Sequence, residues 1–185
     1  MLDLIRKLYN NISMRTSKLI PLFVFALTLF TTPVWAASYM KLGTSYMSQD
    51  NGGDTHSRLL LDLGGGWIAN NGFTAGFLYA NEKNSVSNGA SADRTSYGPN
   101  IGYATKKDTG WYVIGTYFLS STTTNELKGT GYQLDVGYKF IINKVSFAPQ
   151  LSKKQFTYTS QYGNDLNPTY EEGRIDPYFV VWIDF

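Results

Sequence analysis

The chain has 185 residues, room for one domain rather than two, and it contains no cysteine, which rules out both a disulfide framework and a thiolate metal site. Its formal charge of +2 belongs to the N-terminal end: residues 1–36 hold Arg6, Lys7, Arg15 and Lys18 against Asp3 alone, leaving 12 Lys+Arg and 13 Asp+Glu beyond them, a net of −1. No basic patch remains there to recruit nucleic acid.

The basic start runs into "LIPLFVFALTLF" (Leu19–Phe30), twelve residues without a charge, and then into "TTPVWAA". A basic region, a short apolar run and small residues around a cut site describe a secretory signal peptide. Twelve residues is too short for a membrane-spanning helix, which needs about 20, so an uncleaved anchor is the poorer reading. Cleavage is expected after Ala36, with Val34 and Ala36 as the small residues. Met14 is a second plausible start and would leave a signal of ordinary length. The expected division is therefore a signal peptide over 1–36 and one domain over 37–185.

From Ala37 onward no long 3.6-residue apolar period occurs; segments of roughly ten residues alternate with period two. Met40, Leu42, Thr44 and Tyr46 oppose Tyr39, Lys41, Gly43 and Ser45. Leu59, Leu61, Leu63 and Trp67 oppose Arg58, Asp62, Gly64 and Gly66, with Leu60 out of phase. Phe73, Ala75, Phe77 and Tyr79 oppose Thr74, Gly76 and Ala80, with Leu78 out of phase. Tyr97, Ile101 and Tyr103 oppose Ser96, Gly98, Asn100 and Gly102. "WYVIGTYFLSS" (Trp111–Ser121) is apolar on both faces, and its parity stays open. Tyr132, Leu134, Val136, Tyr138, Phe140 and Ile142 oppose Gln133, Asp135, Gly137 and Lys139. Val145, Phe147 and Leu151 oppose Ser146, Ala148, Gln150 and Ser152. Last, Phe179, Val181, Ile183 and Phe185 oppose Arg174, Asp176, Tyr178 and Asp184.

That is eight strands. The connections after the second, fourth and sixth read as short: Ala69–Gly72, Lys106–Gly110 and Asn143–Lys144. Those after the first, third, fifth and seventh read as long loops: Ser48–His56, Lys83–Asp93, Thr122–Lys128 and roughly Ser160–Gly173. Such alternation, with strands near the 9–11 residues of a tilted bilayer crossing, suits a transmembrane barrel and not a Greek-key sandwich. Trp67 and Trp111 stand near short turns, and Tyr46, Tyr79, Tyr97 and Tyr132 stand toward the opposite ends, as two interfacial girdles would. Pro99, Pro149 and Pro177 fall in or beside strands, and a closed barrel has no edge on which to hide a missing N–H. The expected fold is all-β: an eight-stranded antiparallel up-and-down transmembrane β-barrel.

In strand number, strand length and the closing segment "PYFVVWIDF" the chain resembles the small eight-stranded outer-membrane barrels of Gram-negative bacteria, the OmpA/OmpX type. That resemblance implies a monomer in the cell outer membrane, surrounded by lipid and lipopolysaccharide. It also implies that Phe179, Val181, Ile183 and Phe185 form the terminal signal read by the barrel-assembly machinery. Pro177 departs from the apolar residue that pattern has at its place.

Eight strands leave an interior just wide enough for side chains to fill. Lys41, Arg58, Asp62, Asp135, Lys139, Arg174 and Asp176 are expected to line it and to pair, since an unpaired buried charge is expensive. A plugged lumen is the favoured reading, and an ion path or narrow pore the alternative. Some barrels of this size modify lipid A, so catalysis has to be weighed: His56, the one histidine, lies in "GGDTHSR" beside Asp54 and Ser57. In an extended segment Ser57 points away from His56, so the two do not make a dyad. Asp50–Asp54 and Gly163–Glu172 are acidic but lack the ligand spacing of an EF-hand loop. No catalytic, cofactor-binding or metal residue is expected. The Tyr-, Asn- and Gly-rich Ser160–Gly173 segment is the candidate adhesive or partner-binding face.

Overall fold

The computed structural model describes residues 37–51, 54–87, 91–105, 109–143 and 145–185. The expected signal peptide lies in 1–36, outside the described residues. Eight antiparallel strands form one closed barrel in chain order: β1 (Ala37–Asn51), β2 (Asp54–Ile68), β3 (Phe73–Val86), β4 (Arg94–Ala104), β5 (Gly110–Thr123), β6 (Leu127–Ile142), β7 (Val145–Gln161) and β8 (Asn164–Asp184). No helix occurs among the described residues.

The closed ring leaves one inner and one outer face, and period-two sequences sort onto them. β5 takes the parity that its sequence leaves open: Tyr112, Ile114, Thr116 and Phe118 are buried inside, while Trp111, Val113, Tyr117 and Leu119 are exposed outside. The two out-of-phase leucines are inward residues: Leu60 and Leu78 are fully buried. They belong to two apolar clusters inside the barrel. One gathers Leu60, Tyr39, Tyr112, Tyr178, Val180 and Trp182 with their neighbours, the other Leu78, Ala80, Phe118, Phe156 and Tyr158.

Three of the four long loops are largely paired strand, while Lys83–Asp93 stays unpaired between β3 and β4. β1 pairs with β2 as far as Asn51↔Asp54, leaving two residues between the strands where Ser48–His56 was expected to be a loop. β3 and β4 pair to Glu82↔Arg94, and β5 and β6 to Thr122↔Lys128. The segment Ser160–Gly173 is mostly strand: β7 runs to Gln161 and β8 starts at Asn164. Tyr162 and Gly163 turn between them at φ 51° and 79°, the pattern of a two-residue type I′ turn. The asymmetry between the two ends lies in hairpin length and, between β3 and β4, in loop length as well. Outside the wall both faces of a hairpin meet water, so the apolar alternation that marks a strand vanishes while the backbone goes on pairing.

Each of the three prolines sits on the outer face, exposed, where a ladder is interrupted. Around Pro99 the β4–β5 register shifts between Tyr97 and Asn100, a bulge. Pro149 lies where β6–β7 pairing skips from Gly137↔Gln150 to Phe140↔Phe147. Pro177 ends a ladder. The Phe185 amide donates to the Ser38 carbonyl at 2.8 Å, so alternate residues of β8 aim their N–H groups at β1. Pro177 falls in that set, in register with Tyr46, and has no hydrogen to give. The β1–β8 ladder stops one step earlier, at Thr44↔Phe179, after six paired positions against nine to sixteen in the other ladders.

Candidate functional site

Inward parity on seven of the strands brings six cations and six carboxylates into the barrel, and each has an oppositely charged partner there. They stand in three tiers. The tier nearest the long hairpins joins Arg58, Arg94 and Arg174 to Glu82, Glu172 and Asp176. Arg58 Nη2 lies 2.9 Å from Asp176 Oδ1, Arg94 Nη1 3.2 Å from Glu82 Oε2, Arg174 Nη1 3.0 Å from Glu172 Oε1 and Arg174 Nε 2.7 Å from Asp176 Oδ2. Arg174 also meets Glu82, and Arg94 meets Glu172. The Arg94 guanidinium packs 4.2 Å above the Phe156 ring, which holds its plane.

The middle tier pairs Lys41 with Asp135 at 2.8 Å and Lys154 with Asp62 at 3.3 Å. Gln133 Nε2 donates to both carboxylates, at 2.9 Å to Asp62 and 2.7 Å to Asp135, and ties the two pairs together. Lys154 Nζ donates to the Tyr178 hydroxyl at 2.6 Å, and Ser152 Oγ to Asp135 at 2.8 Å. Small residues make the room: a Cβ on Gly64 would stand 2.9 Å from the Lys41 stem. At the short-turn end Lys139 lies 3.6 Å from Asp184 and 5.0 Å from the centre of the Trp182 ring.

All seven residues read from the sequence as lumen-lining are on the inner face. The structure groups Arg58, Arg174 and Asp176 in the first tier, Lys41, Asp62 and Asp135 in the second, and places Lys139 in the third. Sequence reasoning did not enlist Glu82, Arg94, Lys154, Glu172 or Asp184. Glu82, Arg94 and Lys154 extend the inward parity of Ala80, Ser96 and Ser152, a signal available once the strands are carried further. Glu172 was hidden because its segment reads as loop.

Above the arginine tier a cavity of about 590 Å³ opens against β1, β2 and β3. Three cross-strand rows line it: Met47–Arg58–Asn84, Ser48–Ser57–Ser85 and Gln49–His56–Val86. Leu166 and Leu127 instead pack onto the apolar cluster of Phe118 and Tyr158. Strand parity turns Ser57 away from the row that holds His56. Among the described residues no group of three or more His, Asp or Glu side chains is placed to hold a metal ion. Phe179, Ile183 and Phe185 are exposed on the outer face and Val181 partly so. No protein-family model matches the chain, and no curated protein matches it.

Proposed function

We propose that the chain is exported, that the barrel spans the outer membrane of a Gram-negative cell, and that its role there is structural or surface-interactive, without catalysis or solute transport. The observation that carries the membrane placement is the outer face. Leu42, Leu61, Phe77, Ile101, Val113, Leu134, Phe140, Leu151 and Ile183 are all between 39 and 61 % exposed and lie on every strand of the ring. A water-soluble protein rarely exposes an apolar patch above a few hundred Å². The band ends together on neighbouring strands, where Ser48, Thr55, Lys83, Thr95, Lys128 and Lys153 take over the outward parity. Tyr132 to Ile142 rises roughly 25 Å at ~3.3 Å per residue and a tilt near 45°, the height of the apolar band of such barrels. Trp67, Tyr103 and Trp111 ring one margin and Tyr46, Tyr79, Tyr97 and Tyr132 the other, all exposed.

The ion-pair tiers support a plugged interior: charges this well matched hold one another rather than a passing ion. They equally argue against the narrow-pore reading. Adjacent positions of an extended strand send the His56 and Ser57 side chains to opposite faces, which argues against a dyad although both residues line the cavity. The basic start, the apolar run and the small residues Val34 and Ala36 support cleavage after Ala36, and resemblance alone supports the reading of Phe179–Phe185 by assembly machinery.

The membrane placement is tested by comparing boiled and unboiled membrane fractions on a gel. A barrel changes mobility on boiling; an unshifted band recovered in the periplasmic fraction would end the proposal. Planar-bilayer recording checks the plug, with stepwise conductance as the adverse result. Mass spectrometry of lipid A from a deletion strain checks for catalysis, where an altered acyl pattern would reverse that part.

A further inference from the structure

We propose that the barrel binds one water molecule in its interior, held by Asn100 on β4, Thr116 on β5 and Gln133 on β6, and that this water ties β4 and β5 to the charged middle tier. The proposal needs only the closed barrel, so it stands or falls apart from the membrane placement.

The three residues form one cross-strand row: Asn100 is in register with Thr116, and Thr116 with Gln133. All face inward and are between 1 and 3 % exposed. Each carries a polar atom with no hydrogen-bond partner among the described residues: Asn100 Nδ2, Thr116 Oγ1 and Gln133 Oε1. A buried polar atom left in that state is costly, and native interiors supply it with a protein or water partner. Side chains in register on adjacent strands are close neighbours, so three such atoms in one row point to a shared partner. A buried water makes about three hydrogen bonds, which matches the row.

The chemistry of the three atoms selects water over an ion. Gln133 Nε2 donates to Asp62 and to Asp135, which turns Oε1 away from both carboxylates and leaves it as an acceptor. The Tyr39 hydroxyl donates to Asn100 Oδ1 at 3.3 Å, so the remaining atom of that amide is a donor. The Thr116 hydroxyl can do either. A cation would be opposed by the Asn100 N–H groups and an anion by the Gln133 carbonyl. Water accepts from the first and donates to the second.

The row is also enclosed. Its neighbours on the inner face of β5 are Ile114 and Phe118, both fully buried and one in each of the two apolar clusters. Gly98 and Gly102 on β4 and Gly131 on β6 flank it on the same face without a side chain. β5 carries no charge, and the one charge of β4, Arg94, belongs to the arginine tier. With the water in place, a hydrogen-bonded path runs from Tyr39 through Asn100, the water and Gln133 to Asp135 and Lys41. Through it the two uncharged stretches of wall join the middle tier.

A crystal structure of the full chain at a resolution that shows ordered water is the direct test. Expected is a single peak within about 2.5–3.2 Å of all three atoms; electron density without one there would overturn the proposal. Urea unfolding of Thr116→Val gives a second reading, because valine keeps the branched shape and loses only the hydroxyl. A bound water predicts a loss of about tenfold in the folding equilibrium constant, since its other partners are left short of a bond. A hydroxyl that binds nothing would make valine neutral or stabilising, and that result would equally overturn the proposal. Thr116→Ser keeps the oxygen and should keep the peak. The native chain's electron density decides the matter if the valine variant fails to fold.

Discussion

The barrel has two halves that obey different rules. From the short turns up to the level of Thr44, every strand has a partner on both sides apart from the skips at prolines, the outer face is apolar, and the interior is filled by paired charges and aromatic rings. Above that level the sheet loses its β1–β8 pairing and the outer face turns polar, while the interior still holds the arginine tier and the Phe156 and Tyr158 rings. The lower half needs alternation, because its two faces meet different surroundings. Only toward the hairpin tips are both faces exposed, and there backbone pairing and turn geometry keep the strands extended. Order and apolar patterning are separable, and a long hairpin can be well paired with no apolar stripe at all.

Substitutions sharpen that contrast. The largest effect is expected in the middle tier: Asp135→Leu strands the Lys41 ammonium in a buried site and should cost about 3–5 kcal/mol in urea unfolding from lipid vesicles. The double change Lys41→Met with Asp135→Leu should recover most of that loss; if it does not, the pair is not what the charge was needed for. Next, Val136→Arg puts a charge on the outer face inside the apolar band and should cost about 2–4 kcal/mol, while Thr130→Arg on the same strand above the band should cost less than about 1. Equal costs at the two positions would break the distinction between the halves. The smallest effect belongs to the β7–β8 tip: Gly163→Ala meets open space but forces a side chain onto φ 79°, a loss of about 1 kcal/mol by the same assay. The spectroscopic signature of strand should survive it, since register there is set along the whole hairpin.

How much was readable in advance follows the same line. Eight strands, their order and the facing of Lys41, Asp62, Asp135, Lys139 and Asp176 follow from period two in the lower half. Leu60 and Leu78 looked out of phase because the interior was taken to be uniformly polar; it also holds two apolar clusters that these residues complete. β5 could not be assigned because Tyr112, Ile114 and Phe118 fill the interior while Val113, Tyr117 and Leu119 cover the outside, so both faces carry apolar side chains. Glu82 and Arg94 were missed as members of the arginine tier because the strands were ended short of them, and Glu172 because its segment reads as loop.

The sequence by itself determined the strand count, the two faces of the wall on every strand but β5 and three positions at which a ladder N–H is missing. Alternation is a local property, and a proline lacks its N–H whatever surrounds it. Only the tertiary structure decided which cation meets which carboxylate, that three of the supposed loops are hairpins, and that Pro177 falls opposite Tyr46. Those outcomes depend on register between strands paired up to 145 residues apart (Tyr39↔Asp184), fixed where the ring closes between Ser38 and Phe185, and no local pattern along the chain encodes it.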